Sequence, residues 1–283
     1  MPELPEVEHL RATLAREVAG ARVVDAELFR ADMLERGAES AKRGAADLLL
    51  RGQRIERLLR HGKQLAIVGD GGGVLCVQLG MTGRVVVRSE APRGEPHVHA
   101  RWELLGPRGE RKVMTFADPR RFGGLTALAS STVLSARWAE LGPDAATVET
   151  AHLMQALKET RRAVKAALLD QNLVAGIGNI YADEALFRAG ITPRVLAHRL
   201  RPRQVERLAA AVREVLAAAI ASGGSSLRDY VDANGQQGGY QTLHLVYGRE
   251  GEPCHTCGTR LRGTRLGGRQ TVWCPCCQSA RDT

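Results

Sequence analysis

Aromatic side chains are scarce in this chain: Trp, Tyr and Phe together make up 4% of its 283 residues. An aromatic spent in a polar loop therefore stands out. Long apolar runs are missing as well. No stretch approaches the ~20 apolar residues that cross a bilayer as a helix, so no membrane partner is expected. The first ten residues, MPELPEVEHL, hold two prolines and three glutamates and lack the charged-then-apolar layout of a signal peptide. A cytoplasmic location follows as the expectation, with thiols kept reduced. Acids are in deficit, 31 against 40 Lys and Arg for a net charge of +9, which points to an anionic partner such as nucleic acid; a basic protein without one is the alternative. No internal repeat is found. Cysteine is nearly absent before residue 250. Cys76 stands alone in the apolar run 74–79 and reads as a small core residue.

What is present divides in two. After Pro5, apolar residues at Val7, Leu10, Leu14 and Val18 have helical spacing, ended by Gly20. Short β-type runs follow at 22–28, 65–68, 74–79, 85–87, 100–105 and 112–116, separated by Gly- and Pro-rich turns. Such a series predicts a sandwich or barrel. From 147 to 222 the pattern is helical, clearest over 202–221, with a break at Val174-Ala175-Gly176-Ile177-Gly178-Asn179. Residues 223–240 are polar and Gly-rich and predict a mobile loop. A short strand over 243–247 is expected next. The predicted division is 1–134, 135–242 and 243–283.

The remaining five cysteines lie between 254 and 277. Cys254-x-x-Cys257 and Cys274-x-x-Cys277 are sixteen residues apart, a spacing suited to two knuckles that close one tetrahedral Zn2+ site. A disulfide framework is the alternative, disfavoured by reduced thiols. Cys276 and His255 are weaker ligand candidates, and the Cys-x-x-Cys spacing favours Cys277. The intervening hairpin, expected to turn at Gly267-Gly268, carries Arg260, Arg262, Arg265 and Arg269 and no acid. A ribbon this short depends on its metal to fold and can present arginines to phosphate.

Pro2 points to chemistry. A proline after the initiator methionine normally permits its removal, leaving a secondary amine. An α-amine has a pKa near ~8 and is a competent Schiff-base nucleophile, and Glu3 beside it can move protons. A helix that merely starts with proline and acids is the plain alternative.

The motifs in order decide between these. Met1-Pro2-Glu3-Leu4-Pro5-Glu6-Val7-Glu8, Gly62-Lys63, Gln78-Leu79-Gly80-Met81-Thr82-Gly83, Asp118-Pro119-Arg120-Arg121-Phe122-Gly123, Gly176-Ile177-Gly178-Asn179-Ile180-Tyr181, Val246-Tyr247-Gly248-Arg249 and the cysteine pairs together resemble the bacterial formamidopyrimidine-DNA glycosylases over nearly the whole chain. The resemblance implies an α+β multidomain fold: an N-terminal β-sandwich flanked by helices, then a helix–two-turn–helix domain with a C-terminal β-hairpin zinc finger, and DNA in the cleft between the halves. It implies base-excision repair by a glycosylase and AP lyase acting on oxidised purines, with β,δ-elimination through a Schiff base at Pro2. The partner would be double-stranded DNA carrying damaged bases or abasic sites, and the protein a monomer with one structural Zn2+. Because a base inside a duplex must be flipped out to be reached, Met81, Arg120 and Phe122 match wedge residues that fill the gap. Catalytic roles fall on Pro2, Glu3, Lys63 and Arg269, with Lys63 expected to begin a strand. His97 and Asn179 would hold phosphate, with His99 a near neighbour of the first. Arg161, with Arg162, would add a contact or form a solvated helix face. Arg265 is the alternative to Arg269, and Glu6 either tunes the site or is an ordinary first-turn acid.

Ser225-Ser226-Leu227-Arg228-Asp229 lies where the family encloses the flipped base. Gly238-Gly239-Tyr240 departs from the family's Gly-Tyr-Phe, which bears on base preference. Two rival readings are an endonuclease VIII-type glycosylase for oxidised pyrimidines and a catalytically inactive zinc-ribbon DNA-binding protein. Leu4 and the full Asp118–Gly123 motif favour the purine-directed group, and intact Pro2, Glu3 and Lys63 favour an enzyme.

Overall fold

The computed structural model describes residues 2–36, 44–90, 94–226 and 230–279. These fall into two compact units, Met1–Ala139 with Ser222–Gly239, and Glu140–Ala221 with Tyr240–Thr283.

The first unit begins with helix α1 (Leu4–Val18), whose Val7, Leu10, Leu14 and Val18 are all buried. Strand β1 (Arg22–Leu28), β2 (Leu34–Arg36) and the short helix α2 (Ala45–Leu48) follow. Next come β3 (Ile55–His61), β4 (Gln64–Gly69), β5 (Val74–Gln78) and β6 (Arg84–Arg88). Then β7 (Val98–Leu105), β8 (Arg111–Ala117), β9 (Gly124–Leu128) and helix α3 (Ser131–Ala139) complete it. The strands make two sheets, ordered β1-β7-β8-β6 and β2-β9-β5-β4-β3. All pairings are antiparallel except β2 with β9. Leu65 and Val77 of one sheet share a single core with Trp102 and Phe116 of the other and with the apolar stripe of α1. This is the predicted sandwich. Cys76 is buried in a smaller cluster on the outer face of the second sheet, and burial pushes its thiol up to about 11, as suits a core residue.

The second unit holds α4 (Thr150–Lys158), α5 (Val164–Leu168), α6 (Asn179–Arg188) and α7 (Pro202–Ala221), and a hairpin of β10 (Arg262–Leu266) and β11 (Arg269–Trp273). Helix α7 packs on α4 and α6 through Val205, Leu208, Val212, Val215 and Leu216, all buried. No helix among the described residues is long and apolar enough to cross a membrane.

Three sequence expectations differ from the structure. Residues 243–247 form no strand; a 3-10 turn over Tyr240–Leu243 leads into a loop held by Glu184. Lys63 does not begin a strand but occupies, with Gly62, the two-residue turn between paired His61 and Gln64. Segment Ser222–Gly239, expected as a mobile loop of the second domain, packs with the first unit. It is tied there by backbone bonds such as Val87 N–H to the Ala233 carbonyl at 2.8 Å. Residues 227–229 of its base-enclosing motif lie outside the described residues.

Candidate active site and metal centre

Helix α1 starts where it does because Glu3 and Glu6 close a capping box. The Glu3 carboxylate accepts from the Glu6 backbone and the Glu6 carboxylate from that of Glu3, with Pro5 in the first turn. The Glu3 N–H donates to Glu6 Oε2 at 2.7 Å. The other oxygen of Glu6 accepts the Ser225 N–H at 2.7 Å, and the Tyr230 hydroxyl donates to the Glu6 carbonyl at 2.9 Å. Glu3 is 3% and Glu6 1% exposed, and Pro2 is buried beside them. Glu6 is therefore more than a first-turn acid: it fastens the 222–239 segment to the N-terminus. Gly224 sits so close that a Cβ would lie 2.7 Å from Glu6 Oε1. Two carboxylates at a helix N-terminus are favoured by its dipole and place proton-transfer groups next to Pro2.

Lys63 reaches the same helix through its neighbours. In its turn Gly62 takes φ +55, the first-position geometry of a tight hairpin. Arg60 donates from Nε to Glu8 Oε2 at 2.8 Å and from Nη1 to the Gly62 carbonyl at 3.0 Å. Burial pushes the Glu8 carboxyl up, but hydrogen bonds and charge from Arg11 and Arg60 outweigh it and hold it below its ordinary range. The half-buried Lys63 is thus carried on a turn that Arg60 ties to α1.

Two loops bring Met81, Arg120 and Phe122 together. Met81 is 37% and Phe122 56% exposed, and the Arg120 guanidinium lies over the Phe122 ring, 4.7 Å from its centroid. Beneath them Asp118 is fully buried and accepts from the Thr82 hydroxyl and the Gly123 N–H. His97 is exposed with φ +64. His99 is buried with Nε2 on the Asp118 carbonyl at 2.8 Å. Exposure separates the two histidines: only His97 is open to a ligand.

In the second unit Gly178 is the N-cap of α6, so Asn179 is its first helical residue and no cap. The Asn179 Oδ1 is buried with no hydrogen-bond partner among the described residues. Arg161 and Arg162 are exposed in the loop before α5, off the predicted helix face; Arg162 pairs with Asp170 at 2.7 Å.

Sequence reasoning missed the groups that mount the finger. Lys165 and Asp183 form a 2.7 Å ion pair with side chains 0% and 1% exposed. Lys165 Nζ also donates to the Gln270 carbonyl at 2.9 Å and to Thr271 Oγ1 at 2.8 Å, while Asp183 Oδ2 accepts the Val272 N–H at 3.0 Å. Burial drives the Asp183 carboxyl up to about 7 against the pull of Lys165. Glu184 gathers the N–H groups of Leu245, Val246 and Tyr247 at 2.8–2.9 Å. In the fold every residue from Ile180 to Phe187 is buried, so α6 has no polar face on which the adjacent acids Asp183 and Glu184 could be solvated.

The Sγ atoms of Cys254, Cys257, Cys274 and Cys277 all lie within 4.8 Å of one another, with Cys254–Cys277 at 4.0 Å and Cys257–Cys274 at 3.5 Å. Tetrahedral Zn–S bonds of about 2.3 Å require S···S separations of about 3.8 Å, so the four thiols fit one structural Zn2+. Cys276 is exposed and outside the cluster. Arg269 opens β11 opposite Leu266, at the Gly267-Gly268 tip, and Arg265 pairs with Gln270 one step further in.

Residues 1–125 match the family model of the formamidopyrimidine-DNA glycosylase N-terminal domain, 141–231 that of the formamidopyrimidine-DNA glycosylase H2TH domain, and 251–280 a zinc finger found in FPG and IleRS. The chain is 42% identical to the formamidopyrimidine-DNA glycosylase of Desulfitobacterium hafniense over 98% of its own length and 100% of the relative's. It is similar to the crystal structure of MutM (Fpg) from Thermus thermophilus, at TM-score 0.83 and 40% identity over 98% of both chains. It is also similar to MutM in complex with DNA containing carbocyclic 8-oxo-G, at TM-score 0.85 and 32% identity over 98% of this chain and 100% of that one.

Proposed function

The chain belongs to the formamidopyrimidine-DNA glycosylase family, and on that premise we propose that it excises oxidised purines and then cuts the strand through a Schiff base on Pro2. It is a DNA glycosylase of base-excision repair that acts on damaged duplex DNA and carries one structural Zn2+. The observation that carries the finer reading is the position of the buried Pro2 directly before two buried carboxylates, Glu3 and Glu6, that close one capping box.

In this mechanism the lesion is flipped out of the stack. Met81 and Phe122 fill the gap, and Arg120 hydrogen-bonds the orphaned base. The Pro2 nitrogen attacks C1′, Glu3 delivers a proton to the opening sugar or leaving base, and the base departs. The resulting iminium acidifies the C2′ proton. Its loss expels the 3′ phosphate, with Lys63 as proton donor and phosphate contact, and a second elimination, supported by Arg269, expels the 5′ phosphate. A one-nucleotide gap with phosphate on both ends remains. His97 and Asn179 hold the backbone, Asn179 through the α6 N-terminus, and Arg161 adds a phosphate contact. Cys254, Cys257, Cys274 and Cys277 would hold the zinc, which supplies folding energy to the finger rather than chemistry.

Met1 must be removed for Pro2 to present an amine. Borohydride trapping on damaged duplex tests this. The processed protein should form a covalent adduct, Pro2→Gly should trap less efficiently, and protein retaining Met1 should form none. An equally strong adduct from the Met1-retaining protein would sink the N-terminal mechanism.

A further inference from the structure

We propose that Asp118 is a positioning residue that locks loops 79–83 and 118–123 into one wedge, so that Met81, Arg120 and Phe122 enter the duplex as a unit; the inference rests on the wedge role assigned above. Asp118 is 0% exposed. Its Oδ1 accepts from the Thr82 hydroxyl of the first loop and from the Arg120 N–H, at 3.2 Å, of the second. Its Oδ2 takes the Gly123 N–H at 2.8 Å, and Thr82 Oγ1 receives the Arg120 N–H at 3.2 Å. The base of the second loop is fixed as well: the Asp118 N–H donates to the His97 carbonyl at 3.1 Å and its carbonyl receives His99 Nε2.

Backbone contact completes the lock. A Cβ on Gly80 would lie 2.3 Å from the Gly123 nitrogen, and one on Gly123 2.3 Å from the Gln78 carbonyl oxygen. The loops touch main chain to main chain, and the Asp118 carboxylate hydrogen-bonds both. Rigidity of this kind matters because a wedge that parts stacked bases must withstand the restoring force of the stack. Two loops free to fold back would yield to it. The carboxylate touches no reacting atom, so its effect should fall on base extrusion and not on bond breaking.

The test is single-turnover excision of 8-oxoguanine from two substrates, one with the lesion paired in a full duplex and one with it in a locally unpaired bubble. Asp118→Asn sets an amide donor against backbone donors. Thr82→Val removes the hydroxyl and keeps the shape; Thr82→Ser restores the hydroxyl. The paired substrate should slow about tenfold with Asp118→Asn and Thr82→Val, equivalent to about 1.4 kcal/mol. The unpaired one should change by less than about twofold, and Thr82→Ser should recover the difference. If Asp118→Asn fails to fold, Thr82→Val carries the test alone. Equal slowing on both substrates, or none on the paired one, overturns the proposal. Met81→Ala and Phe122→Ala separate the two layers. If they spare the paired duplex, the wedge reading itself fails; if they slow it while the Asp118 and Thr82 variants do not, only the lock fails.

Discussion

Replacing Lys165 with Met should loosen the finger from its mount, increasingly so as pH rises. Lys165→Met keeps the length of the side chain but strips three oxygen atoms of a buried donor: Asp183 Oδ1 at 2.7 Å, the Gln270 carbonyl at 2.9 Å and Thr271 Oγ1 at 2.8 Å. Breaking a buried pair from one side costs about 3–5 kcal/mol where the remaining group is held charged in the interior. The sign of the pH dependence follows from Asp183. Burial already raises its carboxyl to about 7 in the folded protein, against about 3.9 unfolded. A raised acid contributes stability that is fully present below the unfolded pKa and is lost as pH rises through the folded one. In the wild type that loss ends near 7. Without Lys165 the folded value climbs further, so the gap between variant and wild type should widen above pH 7 by up to about 1.4 kcal/mol per pH unit. Protection of the 270–273 amides against hydrogen exchange, corrected for intrinsic rates, reads this local opening. A gap that is the same at pH 6.5 and 8.5, or smaller than about 0.5 kcal/mol at both, as for an exposed substitution, would refute the reasoning.

Three further outcomes are expected. Zinc removal by a chelator should unfold the finger and weaken DNA binding before the first unit loses its circular dichroism, and Cys277→Ser should lose the metal while Cys276→Ser keeps it in a stoichiometry assay. Arg269→Ala should weaken binding to every sequence, lower the slope of log affinity against log salt by about one, and slow strand cutting more than base excision on a gel. Gly80→Ala should lower the melting temperature more than Gly72→Ala. Both positions have positive φ, which costs an L-residue about 1–2 kcal/mol, but only Gly80 meets main chain, at 2.3 Å, whereas Gly72 has nothing within 4 Å. Equal shifts would mean that the loops part readily.

How much of this was legible in the sequence depended on the range of the interactions. Helices α1 and α7 and strands β1 and β4 to β8 could be read because their apolar residues recur within the element itself. Strand β3 was missed: Glu56, Arg57 and Arg60 interrupt it, and only Ile55 and Leu58 of its seven residues are buried, without clean alternation. Strand β9 opens on Gly124 and was missed for want of a side chain there. Residues 243–247 have strand composition, but three of their N–H groups are claimed by Glu184, some sixty residues earlier. Lys165 carries no motif of its own; Asp183, together with the Gln270 carbonyl and the Thr271 hydroxyl more than a hundred residues later, makes it an interior group. The site divides the same way. The roles proposed for Pro2, Glu3 and the four cysteines rest on position and spacing, whereas Asp118, Glu6 and Lys165 meet partners that spacing does not reveal.

The segment Ser222–Gly239 has a consequence for how the molecule is made. It belongs to the first unit although all of Glu140–Ala221 precedes it in the chain. The donors that Glu6 takes from Ser225 and Tyr230 lie 219 and 224 residues downstream, and Ala233 joins the sandwich core. A ribosome therefore finishes the helices of the second unit before it supplies the last piece of the first. Until then the N-terminal helix has its stripe of leucines and valines but not the clasp on Glu6, and no truncation at 139 or 221 can yield a complete N-terminal half. Contacts of such sequence separation form slowly, so the surroundings of Pro2 mature late in synthesis, after the loops that carry Met81, Arg120 and Phe122 and the start of α6 already exist.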